Sequence, residues 1–292
     1  MSGASAHSPA ATEEADKLAP VLDEVGSGSF EPPRLPDTVR RVLELTNRED
    51  VRLRELHEAL ETDSMLAARL IKAARSPVYG RLDVRSLRDA LVRLGNGSVR
   101  NLVLEITLDG PVFKSRRFGA EVAQVQLHNR AVAHLARIIA RAAKVPSEPA
   151  FLCGLLHDLG ILAILQILDE RLQTSPSVAW LQEALRTHHA EGSRRIAQAW
   201  GLSETVVDVL ASHHHVDLAD DKNRPVAACL NLAEAIAERL QAGVPYQLDG
   251  VPDSAQNDAS MLSLELSLDR IGDIVREGDK VVGLFVRRSR PS

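Results

Sequence analysis

Residues 151–168 read FLCGLLHDLGILAILQIL, an apolar run interrupted near its centre by the doublet His157-Asp158. A segment this apolar is hidden from water in any folded state, and an ionised carboxylate hidden with it costs several kcal/mol unless donors or a cation compensate it. Whatever fold the chain adopts must therefore supply partners for Asp158. A membrane span needs roughly 18 uninterrupted apolar residues. The doublet breaks the run, so the reading is a core helix over about 150–168, with no membrane partner.

The rest of the composition points the same way. Hydrophobic residues make up 45% of the 292 positions but aromatics only 3%, which favours helices packed through small aliphatic side chains over a β-sandwich. The expected class is all-α. Lys and Arg number 35 against 40 Asp and Glu, a formal charge of −5, so there is no global attraction to phosphate backbones and nucleic acid is not expected as a partner. The opening MSGASAHSPAATEEADKLAP has no basic start followed by an apolar stretch and does not read as a secretory signal. Cys153 and Cys229 lie inside apolar runs and are too few for a disulfide framework, so a cytoplasmic location is expected.

Along the chain, residues 1–33 lack sustained periodicity and read as a disordered tail ending in the Pro-rich FEPPRLP. Residues 34–110 carry helical spacing in roughly five short segments and predict an N-terminal bundle. Ser86 with Asp89 forms a capping-box pattern there, and Gly95 and Gly97 mark a helix end. After DGPVFKSRRFG, whose Lys114, Arg116 and Arg117 read as solvated, a second helical unit covers 120–241. Residues 242–260 read as a long polar loop, and 261–288 as one or two closing helices.

Several polar side chains are directed inward by helical spacing. His128 shares a face with Val125, Val132, Leu135 and Ile139, and His189 shares a stripe with Gly192 and Ile196. His213 and His214 end a helix carrying Val206, Val209 and Leu210. Imidazoles with a carboxylate are a ligand set for Fe, Mn, Zn or Ni, and helical bundles build such sites by inward projection. Two plainer accounts stand beside this: a core histidine ordinarily donates to a backbone carbonyl, and His213 to His215 also fit a solvated helix end.

The segments LPDTVRRVLELTN, LHEALETDSMLAARLIKAARSPVYG, SLRDALVRLGNGSVRNLVL, FLCGLLHDLGIL and HAEGSRRIAQAWGLSETVVDVLASHHH occur in that order. Together they resemble the HDOD family, the HD-related output domain of bacterial signalling proteins within the HD phosphohydrolase superfamily. The resemblance runs from Leu35 to about Leu240. It implies an N-terminal helical bundle followed by an HD-like helical half. It puts His128 at the first superfamily histidine, His157 and Asp158 at the doublet, and Asn231 at the closing acid. Glu234, one turn beyond Asn231, ranks below it because Asn231, Glu234 and Glu238 fit a solvated face. His189, His213 and His214 fall where the HD-GYP family of cyclic di-GMP phosphodiesterases keeps further metal-binding histidines. The Lys of that family's His-Asp-x-Gly-Lys pattern is Ile161 here, and no Gly-Tyr-Pro follows His214.

Three functions follow as expectations. The first is a signalling output or scaffold module acting through a protein partner, with a structural or vestigial divalent metal. The second is a metal-dependent phosphohydrolase of a nucleotide or cyclic dinucleotide, in which Asp158 is the catalytic ligand. The third is a receptor that binds a signalling nucleotide without cleaving it. The missing Lys and the amide at Asn231 weigh against catalysis.

Overall fold

The computed structural model describes Pro20, Glu24 and residues 30–289 except 49, 80–83, 111, 173 and 243–253. The disordered tail expected over 1–33 thus lies largely outside the described residues. Among those described there is no strand. The helices are α1 (Asp37–Thr46), α2 (Leu53–Glu61), α3 (Ser64–Ala74), α4 (Leu87–Leu108), α5 (Gly119–Ala143), α6 (Ser147–Leu156), α7 (Leu159–Arg171), α8 (Val178–Ala199), α9 (Glu204–Ala211), α10 (Arg224–Arg239), α11 (Ser254–Ser263) and α12 (Leu268–Ser289). The polar stretch 242–260 is not all loop, since α11 starts at Ser254, and α12 is a single closing helix.

Local chemistry sets these boundaries. Ser86 and Asp89 form a reciprocal capping box at the start of α4, satisfying two N–H groups that have no helical acceptor. Asp63 and Ser177 accept from Leu66 and Trp180 at the starts of α3 and α8. Gly95, at φ 72° and ψ 166°, kinks α4, so residues 37–108 do run as five short rods. Between the halves, Asp169 accepts the backbone N–H groups of Arg116 and Arg117. The Arg117 guanidinium donates to Leu172 and Thr174 carbonyls, while Lys114 and Arg116 stay exposed.

One continuous apolar core runs through the molecule, with α5 packed on α6, α10 and α12, and α7 on α8. Ser147–Arg171 is the one stretch among the described residues long and apolar enough to cross a membrane, and 89% of its apolar window is buried inside the protein. The single core helix expected there is in fact two, broken at His157-Asp158. The cause is a contact distant in sequence. Ser193 on α8 donates its Oγ–H to the His157 carbonyl (2.5 Å) and accepts the Gly160 N–H (2.8 Å), replacing helical bonds at the break. Two glycines bring the elements close enough for this. A Cβ on Gly160 would collide with the His189 carbonyl, and one on Gly154 would lie 2.7 Å from the Ala133 Cα on α5. These approaches bring α5, α6 and α8 together around the doublet.

Candidate metal centre

Five histidines from four neighbourhoods converge here. His128 comes from α5, His157 from the α6–α7 break and His189 from α8, while His213 and His214 follow α9. Four of them donate Nδ1–H to a backbone carbonyl: His128 to Ala242 (2.6 Å), His157 to Gly154 (2.9 Å), His189 to Leu185 (2.7 Å) and His213 to Leu210 (2.7 Å). A carbonyl only accepts, so these contacts assign the proton to Nδ1 and leave each Nε2 with a lone pair when the ring is neutral. Those Nε2 atoms face one another. His128 and His157 are 3.1 Å apart, His189 and His213 3.2 Å, and His189 and His214 2.6 Å. Lone pairs at such separations repel unless a proton or a metal ion lies among them.

Asp158 stands between the two histidine groups. Its Oδ2 is 3.2 Å from His157 Nε2 and 3.8 Å from His128 Nε2, and its Oδ1 is 3.7 Å from His189 Nε2. The residue is 0% exposed, and neither oxygen has a properly oriented hydrogen-bond donor. Electrostatics shows the same demand for positive charge. Burial pulls the His157 imidazole down, but the charges of Asp158 and Glu234 pull harder and hold it up at about 9. Burial raises Asp158, and the surrounding imidazoles overcome this and hold it well below the usual carboxylate range. Burial, with His157 adding to it, lowers His128 to about 4, and burial with His189 lowers His214 to about 3, so both stay neutral as ligands must.

The structure brings His128, His157 and Asp158 into one group of donor atoms within 4.8 Å of each other, and His189, His213 and His214 into a second. The His213–His215 run divides: His213 is buried, His214 half-buried and His215 exposed. Asn231 and Glu234 meet different partners. The Asn231 amide oxygen accepts from Ser260 Oγ (3.0 Å), while Glu234 Oε1 lies 3.7 Å from His157 Nε2. Sequence reasoning also missed Ser193 and the Ala242 carbonyl. Ser193 had a signal, because it lies one helical turn beyond His189 on the same face; Ala242 had none.

This donor set fits a divalent transition ion on an observation of the structure itself: a buried carboxylate without properly oriented donors, faced by imidazole nitrogens crowded to within 2.6–3.2 Å of one another. The orienting carbonyls supply the outer contacts that metal-bound histidines ordinarily make.

Comparisons with known proteins bear on the family and the fold. The HDOD domain family matches residues 33–216. An uncharacterized protein of Treponema pallidum (strain Nichols) is 24% identical over 231 residues, covering 74% of this chain and 44% of that protein, so this chain spans less than half the length of the curated relative it matches. A candidate metal-dependent phosphohydrolase of Shewanella amazonensis SB2B superposes with a TM-score of 0.71 at 18% identity, covering 94% of this chain and 99% of the other. A candidate signal transduction protein of Marinobacter aquaeolei VT8 superposes with a TM-score of 0.65 at 21% identity, covering 96% of this chain and 66% of the other. At these identities the two likenesses establish the helical fold alone.

Proposed function

Because the chain belongs to the HDOD family, we propose that it is a cytoplasmic signal-transduction output module that acts by binding a protein partner, with its metal ion serving as a structural pin. The observation that carries this reading is the seclusion of the centre: His157, Asp158, His189 and His213 are each 0% exposed and His128 is 4% exposed. Ile161 adds to it, because an apolar side chain stands where a cation would neutralise developing phosphate charge. His128, His157, Asp158 and Glu234 would hold one ion, and His189, His213 and His214 a second, with Asp158 shared between them. Ions bound by side chains from five separate segments between them favour whichever state assembles those segments, which makes the fold of this half responsive to metal. The two free, buried cysteines suit a reducing compartment.

The second reading, a phosphohydrolase, draws on the half-buried His214, which gives the second group a side toward solvent. A bound ion would there polarise a phosphoryl oxygen and activate a water. Turnover assays on cyclic dinucleotides, nucleotides and a generic phosphodiester, run on metal-loaded protein, separate the two. The output-module reading expects bound metal and no turnover. Hydrolysis that disappears in Asp158→Ala contradicts it.

A further inference from the structure

We propose that the exposed faces of α3 and of α4 up to its kink form the docking surface for this module's partner, and that the partner is an acidic protein segment carrying apolar side chains among its carboxylates. The inference names the partner's chemistry and rests on the output-module reading. It starts from a segregation of charge that the total conceals. Between Ser64 and Leu104 the sequence holds eight Lys and Arg against two Asp and Glu, a formal charge of +6 in a chain whose total is −5. Six of those cations, Arg69, Lys72, Arg75, Arg85, Arg88 and Arg93, are exposed.

Cations elsewhere on the surface are matched. Arg40 pairs with Asp37 and Glu44, Arg48 with Asp50 and Glu55, Arg54 with Glu58, and Arg186 with Glu183. Arg69, Lys72, Arg75 and Arg88 form no ion pair among the described residues. Arg93 faces Asp89 one turn back, but Oδ2 of that carboxylate accepts the backbone N–H groups of Arg85 and Ser86. On the adjoining α2, Glu55, Glu58 and Glu61 are already paired with Arg48, Arg54 and His57. Arg75 joins the two helices, because its Nε–H donates to the Val84 carbonyl just before α4 (2.5 Å). The unmatched charge is therefore one neighbourhood, open to carboxylates from outside.

Apolar side chains among these cations decide the class of partner. Met65, 71% exposed, stands one turn before Arg69, and Val92, 62% exposed, one turn after Arg88. A phosphate backbone offers nothing to cover them, and the one aromatic ring of the segment, Tyr79, turns its hydroxyl inward to Glu105 and leaves no platform for a base. Insertion into a lipid interface needs a whole apolar helix face, and that of α3 is committed to the core through Leu66, Leu70 and Ala74. Protein interfaces are enriched in Arg and Met and depleted in Lys, and Lys72 is the single Lys among the six exposed cations.

Fluorescence anisotropy of a labelled synthetic peptide, with Glu flanking Leu at helical spacing, titrated with the full chain at physiological salt, tests this. The parent should bind the peptide, and added salt should weaken binding. Arg69→Glu combined with Arg88→Glu should lower the affinity about tenfold or more. Arg186→Glu combined with Arg276→Glu makes the same change in net charge at paired positions and should leave the affinity within about twofold. Met65→Ser combined with Val92→Ser should lower it about fivefold, while binding of polyglutamate, which has no apolar side chains, stays as in the parent. A parent that does not bind the peptide, a face variant that binds like the parent, or a paired-site control that loses as much overturns the proposal. So does tighter binding of random-sequence duplex DNA or of phosphatidylserine vesicles than of the peptide. Turnover of a phosphodiester contradicts the output-module reading alone, so the two fail separately.

Discussion

Two buried clusters of charge lie along α5, and they are finished to different degrees. In one, which joins α4 to α5, Glu105 accepts from Tyr79 Oη (2.6 Å) and Arg130 Nε (3.2 Å), with His134 Nε2 at 3.5 Å. Beside it Glu148 accepts from Asn101 Nδ2 (2.9 Å) and Arg137 Nη2 (3.5 Å), and the Arg137 guanidinium lies 3.8 Å from the Phe151 ring centre. His134 stacks on Phe285, so α12 closes over the same cluster. Arg137 Nε is its one side-chain atom left without a partner. In the other cluster, neither oxygen of Asp158 has a properly oriented donor and the imidazole Nε2 atoms crowd one another. The first set of groups is complete as a structural lock. The second becomes complete only with added positive charge, and that difference separates a buried network that stabilises from one that binds.

The sharpest way to break the comparison is to take the carboxylate out of the completed cluster. Glu105→Ala takes the buried acceptor from Tyr79, His134 and Arg130, leaving Arg130 only the more exposed Asp109, and should cost ~3–5 kcal/mol in chemical denaturation, with or without a chelator. Metal comes next: in the presence of an ion at 100 times its Kd, the parent should gain ~2.7 kcal/mol over the chelated protein, whereas Asp158→Asn should gain almost nothing. A third comparison uses pH. Burial raises Glu105, but His134, Arg130 and Tyr79 outweigh it and hold the group at about 2, below its ordinary 4.5. A depressed carboxylate contributes its stability above the unfolded value and loses it as pH falls from 4.5 toward 2. The stability gap between the parent and Glu105→Gln should therefore be full at pH 6 and shrink steadily below pH 4.5. The smallest effect is expected for Ser193→Ala, ~1–3 kcal/mol, because it leaves the His157 carbonyl and Gly160 N–H unpaired while sparing every ligand. It should also weaken metal binding by loosening the helix break.

Much of this was legible in the sequence because the signals are local. Val125, Val132, Leu135 and Ile139 orient His128 by periodicity alone, and Ser86 with Asp89 marks a helix start by its own hydrogen bonds. The parts that escaped depend on contacts between distant segments. The apolar run reads as one helix because the bonds that break it come from Ser193, which lies 36 residues beyond His157. Glu234 and Asn231 share a polar helix face in sequence, and only the docking of α10 against α5 and α6 decides which of them meets the imidazoles. The α11 helix hid behind polar residues, with its buried Ser260 and the following Leu264 as its anchors.

The most direct test of the central claim is elemental analysis of the purified chain, before and after reconstitution with Fe, Mn, Zn or Ni, alongside Asp158→Asn. At least one tightly held transition ion per chain is expected in the parent, lost in the variant while the helical circular dichroism is retained. A parent that binds none of these ions after reconstitution, or a variant that binds them equally well, would contradict it.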